Sequence, residues 1–458
     1  MVDMLPITLA FFFLGIREAI TEQSVLGFGL TYIVFTFGYS FSLPDLIGLK
    51  CSSLADKKNY GETTVMFGRV VLCTGVYVTS SFLISTFSGP ILRASGIDYE
   101  FAVRVASFIK FMSIAKYLEI FLYLGRGFLI CQKITDVFWY LNMLSACSTI
   151  IFVYFFLYRL EMSEKGYALA MFCKVLLETS LCIYFVMTRS NKELLFVPSL
   201  SQASKDFGEM FQYSVHIMVG NYGEWMAVEI NSYFSALTKK VVNIVTWTCT
   251  MNVCNIHYLT GMGEISFLRT YGSNLIGAKD REGFKKLWNF CFKWAVVNHS
   301  IIAILVFIYA SSIAHFYTSD IGAHPLLTRL LRILPFIFPA EYLLVFINTS
   351  MRLIGRESQQ FKIVTFLFPL VIISTSLVLS FGLGLENFGL LFAFFITVII
   401  CTVLQVKIFL ESVDGYFDEL EHGSFIDPGT PIFARKLSDN ESRLNIQIQG
   451  NKQEFLLN

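Results

Sequence analysis

The sequence predicts an all-α membrane protein, a bundle of about twelve transmembrane helices in two pseudo-symmetric six-helix lobes. Three observations carry this. Of 458 residues, 55% are hydrophobic and 15% charged, with a mean hydropathy of +0.61, whereas soluble domains carry about 25% charged residues. The apolar residues fall in runs long enough, at ~1.5 Å per residue, to cross ~30 Å of hydrocarbon. Positions 222 apart also correspond: 57 + 222 pairs Lys57 with Lys279, and the same step pairs Gly61 with Gly283, Ala55 with Gly277 and Glu119 with Glu341.

In lipid, only helices and closed barrels satisfy the backbone. These runs are continuous rather than alternating, so they are read as helices. They are placed at residues 4–20, 25–47, 65–90, 101–125, 135–158, 166–188, 208–236, 241–263, 289–316, 327–350, 361–383 and 387–410. The first, LPITLAFFFLGI, is short for a span. It has no basic region before it and no small-residue cleavage site after it, unlike a signal peptide. Residues 1–188 form the first lobe, 189–206 a cytoplasmic linker and 207–410 the second lobe. Residues 411–458, polar and carrying Pro428 and Pro431, form a cytoplasmic tail expected to be disordered.

Lys and Arg set the orientation. One set of connections holds Lys50, Lys57, Lys58, Arg126, Lys133, Arg189, Lys192, Lys205, Arg269, Lys279, Arg281, Arg352 and Arg356. The opposite set holds fewer, among them Arg93, Arg159, Lys239, Lys240 and Arg329. The richer set is expected in the cytoplasm, with both termini.

A net charge of +1 gives no field for nucleic acid. Most of the ten Cys, such as Cys147, Cys254 and Cys401, lie in apolar runs, where Cys acts as a small hydrophobe. No disulfide, metal or cofactor is expected. The chain has no phosphate-binding GxxxxGK loop, HExxH, GxSxG or CxxC pair, so it is not read as an enzyme.

Chemistry concentrates in carboxylates inside spans. Each costs roughly 2.5–3.5 kcal/mol at a helix centre on insertion scales. Glu224 and Glu229 lie in one apolar segment without Lys or Arg, five residues and so about 140° apart on a helix. They point to different sides of one wall. Burial disfavours the charged form of a carboxyl, so such a group can exchange a proton for a cation. Glu341 sits in a tenth span that Pro335 and Pro339 are expected to bend. Lys116 with Glu119, and Lys174 with Glu178, have helix-pair spacing and are read first as neutralised pairs. A second cation pathway through Lys116 and Glu119 is the alternative. Tyr222, Trp225 and Tyr258 either pack or offer cation–π faces.

The run Glu224-Trp225-Met226-Ala227-Val228-Glu229 resembles the E-W-x-A-x-E signature in the seventh helix of eukaryotic multidrug and toxin extrusion (MATE) transporters. Gly261, Gly263, Arg269, Gly277, Ala278, Lys279 and Gly283 resemble the loop after that family's eighth helix, with Glu264 where a small residue is usual. Arg352 follows Glu341 by the family's eleven-residue spacing, while Leu353 and Glu357 replace the motif's Gly and Gln. The resemblance implies a MATE-like fold with a shortened first helix. It also implies a secondary antiporter, expected as a monomer in the plasma or a vacuolar/vesicular membrane. Such an antiporter would export cationic or amphipathic organic compounds against protons, or less readily Na⁺. Glu224, Glu229, Glu341, Tyr222, Trp225 and Tyr258 would form its site. Competing readings are a lipid-linked flippase, a channel or receptor, and a degenerate member that does not transport.

Overall fold

The computed structural model describes residues 5–43, 46–47, 51, 60–195 and 198–421. Asp45, the first-lobe turn with Ala55 and Lys57, and the chain beyond Glu421 lie outside these.

Twelve helical segments stand where the apolar runs place them. They are α1 Leu5–Ile16, α2 Ile20–Phe37, α3 Tyr60–Thr86, α4 Tyr99–Cys131, α5 Val137–Arg159 and α6 Glu164–Arg189. The second six are α7 Phe207–Leu237, α8 Val241–Gly277, α9 Arg281–Ile308, α10 in two pieces (Ala323–Phe336 and Phe338–Leu353), α11 Ser358–Gly382 and α12 Glu386–Glu421. By length and apolar content alone, six of these described helices can cross a membrane (α3, α5, α6, α9, α11, α12), and the bent pair of α10 makes a seventh. The other five described segments are α1, α2, α4, α7 and α8, of which α4, α7 and α8 are long enough to span. α1 is a short apolar helix, and α4, α7 and α8 carry the polar and charged residues of the interior.

Several boundaries also move: α2 runs Ile20–Phe37 where 25–47 is expected, α9 runs Arg281–Ile308 where 289–316 is expected, and two helix ends lie well past their expected limits. The polar turn expected after Gly263 is helical to Gly277, and only Ala278–Asp280 turn the chain into α9. Nothing in SFLRTYGSNLI breaks a helix, and water can solvate its polar side chains. Lys279 takes a left-handed φ of 58°, and Asp280 accepts the Gly283 N–H at 2.8 Å to cap α9. At the other end of the chain, α12 passes the expected limit of 410 and runs to Glu421. There Arg281 meets Asp414 and Asp418 at 2.6 and 2.9 Å, and Lys285 meets Asp414 at 2.8 Å.

The repeat extends to the backbone. Adding 222 to Tyr60 and Thr86 gives 282 and 308, the extent of α9 within one residue. Lys133 and Gly355, 222 apart, both adopt left-handed φ, at 61° and 67°. α5 ends in a π turn at Tyr154–Arg159, and α11 ends in one at Leu377–Gly382, one residue from the shifted position. A π turn inserts a residue into the helix and is rare, so finding it at the same place in both lobes indicates a common plan.

Outward faces carry exposed Phe82, Trp139, Ile151, Ile304, Leu370 and Val403. Bare apolar surface on this scale fits lipid, not water. Inside the first lobe, Arg104 of α4 ties Glu22 of α2 (2.9 Å) to Glu164 of α6 (3.0 Å). The pairs Lys116–Glu119 (2.5 Å) and Lys174–Glu178 (3.0 Å) form as spaced, both between α4 and α6. Glu119 also lies in the field of Lys174 and Arg126.

The lobes meet along a close seam. Thr8 and Tyr317 both donate to Asn252 Oδ1, at 3.0 and 2.6 Å. Gln23 donates to the Tyr317 carbonyl (2.8 Å), and Tyr233 donates to the Ser95 carbonyl (2.7 Å). Gly27 allows α2 and α8 to touch, because a Cβ there would lie 2.5 Å from Thr248 Oγ1. Phe12 stacks on Phe316 at 4.4 Å.

α10 bends by 47° at Ile337, after a 3₁₀ turn at Leu334–Phe336. Pro335 and Pro339 lack backbone N–H groups and leave carbonyls of the preceding turn without an intrahelical donor. The expected bend is present. If α10 flexes during turnover, Pro339→Ala should slow transport severalfold with substrate affinity nearly unchanged. Transport kinetics beside equilibrium binding check this, and parallel losses of both would indicate a damaged helix.

Candidate functional site

Glu224 and Glu229, both half-buried on α7, face different ways as their spacing requires. Glu224 faces into the second lobe, within the electrostatic field of Glu341 and Arg352 of α10. Arg352 was not foreseen as a neighbour, because sequence gives only cations of the same span. Glu229 turns to the seam. It accepts from Ser232 at 3.1 Å and from Thr31 of α2, in the other lobe. Buried Trp247 fixes Ser232 by donating its indole N–H to the hydroxyl at 3.1 Å.

Glu341 opens the inner piece of α10, one turn after the bend, and is 8% exposed. Cys254 Sγ stands 3.3 Å from both of its oxygens, and His257 Nδ1 is 3.3 Å from Oε2. Tyr258 sits in the field of Glu224, Glu341 and Arg352. Trp225 and Tyr258 meet each other edge to face, with centroids 5.2 Å apart and planes at 88°. This contact uses part of the aromatic surface a cation could meet. The Tyr222 side chain lies outside the described residues.

The structure therefore gathers Glu224, Glu341, Trp225 and Tyr258 in one region of the second lobe and sets Glu229 at its edge. Lys116 and Glu119 stand apart, paired inside the first lobe. Sequence reasoning passed over His257 and His299, two imidazoles in apolar runs. An ionisable residue inside a span is itself a functional signal.

A groove of about 560 Å³ lies between α2, α3, α7 and the short helix Ser88–Ala94. Tyr32, Tyr39, Tyr77 and Tyr233 line it, and none of the carboxylates does.

Residues 217–377, which hold Glu224, Glu229 and Glu341, match the model of the MatE family. The fold is similar over 91% of the chain to an inward-facing multidrug resistance MATE family transporter of the MOP superfamily, covering 95% of it with a TM-score of 0.79 and 11% identity. An outward-facing structure described in the same terms superposes at 0.64, with 11% identity, 91% of this chain and 96% of that one. The eukaryotic MATE transporter AtDTX14 superposes at 0.67, with 15% identity, 91% of this chain and 97% of that one. No curated protein matches the chain by sequence. The MatE model thus matches about a third of the chain, within the second lobe, and the fold along nearly the whole chain is that of MATE transporters.

Proposed function

We propose that the chain is a secondary antiporter that exports cationic or amphipathic organic compounds in exchange for protons. The carrying observation is that Glu224 and Glu341 share one electrostatic environment inside the membrane-spanning second lobe, with Trp225 and Tyr258. Two carboxyls within each other's field in a low dielectric repel when both are charged. A proton or an organic cation relieves the repulsion, and each excludes the other. Glu341 is met by a thiol and an imidazole, groups that handle protons.

Alternating access by two rocking lobes accounts for the repeat. The hydrogen-bonded seam lies at the end that the Lys/Arg bias assigns to the outside, which favours reading this arrangement as facing the cytoplasm, while α7 also touches α3 near the other end through Phe211 on Tyr77. The higher score on the inward-facing transporter, 0.79 against 0.64, supports the same reading.

Purified protein in vesicles, given a fluorescent organic cation and a pH gradient without Na⁺, should move the cation against the proton gradient. Rates indifferent to the pH gradient would refute proton antiport. On this reading the Lys/Arg bias assigns both termini to the cytoplasm. A single-cysteine variant at exposed Ser201 in the linker should react with an impermeant thiol reagent from the cytoplasmic side alone. Labelling from outside would invert the assignment.

A further inference from the structure

Four ionisable side chains form a line through the second lobe. Glu341 Oε2 lies 3.3 Å from His257 Nδ1, and His257 Nε2 lies 2.7 Å from His299 Nδ1. His299 Nε2 lies 3.6 Å from Glu264 Oε2. Each ring thus turns one nitrogen to the group before it and the other to the group after it. A neutral imidazole accepts at one nitrogen and donates at the other, so a row of two conducts a proton in one sense.

The rings are held for this. His257 stacks on Phe338 at 3.8 Å with planes 6° apart, and His299 stacks on Tyr342 at 3.8 Å and 24°. Gly261 leaves room for that stack, because a Cβ would stand 3.2 Å from His299 Cε1 and closer still to the Tyr342 ring. Asn298 donates to Glu264 Oε1 at 2.7 Å and fixes the far carboxylate. At that end, His299 Nε2 is buried without a closed hydrogen bond among the described residues, and Tyr342 Oη lies beside the Glu264 carboxylate. A small shift of the carboxylate closes the 3.6 Å step. The other groups facing the line are few. Cys254 and Arg352 lie near Glu341 with Glu224 and Tyr258, and Cys291 lies near Glu264.

The direction has a meaning. Glu264 is seven residues past His257 on α8, about 10 Å nearer the cytoplasmic end at ~1.5 Å per residue. Its side chain is 15% exposed, while that of His299 is fully enclosed.

We propose that Glu341, His257, His299 and Glu264 form a proton relay that links the cation site to the cytoplasmic half of α8 by a path separate from the substrate cavity. It rests on the proton-antiport reading for its purpose and on its own geometry for its existence. A proton leaves the Glu341 carboxyl for His257 Nδ1. His257 passes the proton on its Nε2 to His299 Nδ1, and His299 passes its Nε2 proton to Glu264. One proton moves, no electron does, and each ring turns over to reset. Cation binding at Glu341 can then expel its proton while the cavity is occupied.

The test follows Glu341 by time-resolved infrared spectroscopy after a pH jump, with the full chain in lipid nanodiscs. The carboxyl band lost in Glu341→Gln identifies it. A positioned proton-transfer group contributes about 10²–10⁴-fold. His299→Gln and Glu264→Gln should therefore slow the band's relaxation by at least about tenfold, with unchanged thermal stability and cation binding. Relaxation as fast as in the native protein, or no Glu341 band responding to pH, would overturn the relay. Should His299→Gln fail to fold, Glu264→Gln carries the same test. Vesicle transport by the native chain is read in parallel. Its failure removes the antiport reading, while the infrared result judges the relay.

Discussion

Glu224→Gln should insert and fold, yet lose pH-driven efflux of organic cations by about 10- to 100-fold. The figure converts the ~1.5–3 kcal/mol that a charged hydrogen-bond partner contributes, at about 1.4 kcal/mol per decade. The amide keeps the carboxyl's shape and removes the charge that proton and cation compete for. It also removes the repulsion with Glu341, so the second carboxyl no longer reports the state of the first. Glu229→Gln should act more mildly and shift the pH optimum. An amide oxygen can still accept from Thr31 and Ser232 at the seam. Efflux against pH in single and double variants decides the matter. Native rates in all of them would leave the carboxylates without a coupling role.

In the first lobe, Glu178→Ala should cost about 3–5 kcal/mol of stability, the usual loss when one partner of a buried ion pair is removed. Glu178 is 1% exposed and Lys174 4%, so the lysine cannot reach water when its partner is gone. Their 3.0 Å contact lacks hydrogen-bond alignment at Glu178 Oε1, so attraction only partly offsets the desolvation of both charges. The double variant Lys174→Met/Glu178→Leu should therefore recover most of the loss. Thermal unfolding in detergent reads both. A single variant as stable as the native chain would mean that Lys174 finds another partner or sheds its proton.

The apolar runs placed the helices because hydrocarbon thickness sets their length and lipid tolerates little charge. Outside the hydrocarbon that rule is silent, and the ends of α8 and α12 were misjudged for this reason. The bend in α10 was legible because Pro335 and Pro339 act through local covalent structure. Pairs such as Lys174 and Glu178 were legible because helical spacing makes them neighbours. The meeting of Glu224 with Arg352, and of His257 with His299, depends on helix packing across long stretches of chain. No local pattern encodes it. What sequence could have offered was the oddity of two imidazoles in apolar runs.

The seam between the lobes also bears on speed. A cycle of opening and closing turns no faster than its tightest joint lets go. The described hydrogen bonds across this joint connect mostly neutral groups, namely hydroxyls, side-chain amides and backbone carbonyls, with Glu229 accepting from Thr31 as the one carboxyl among those described. Each contributes a net of only about 0.5–1.5 kcal/mol, and each decade of rate is about 1.4 kcal/mol of barrier. Three such bonds, the Thr31–Glu229 contact and the close approach at Gly27 thus hold a door that thermal motion can open many times a second. A latch of desolvated ions would be slower to release, because its charges must be rehydrated one by one.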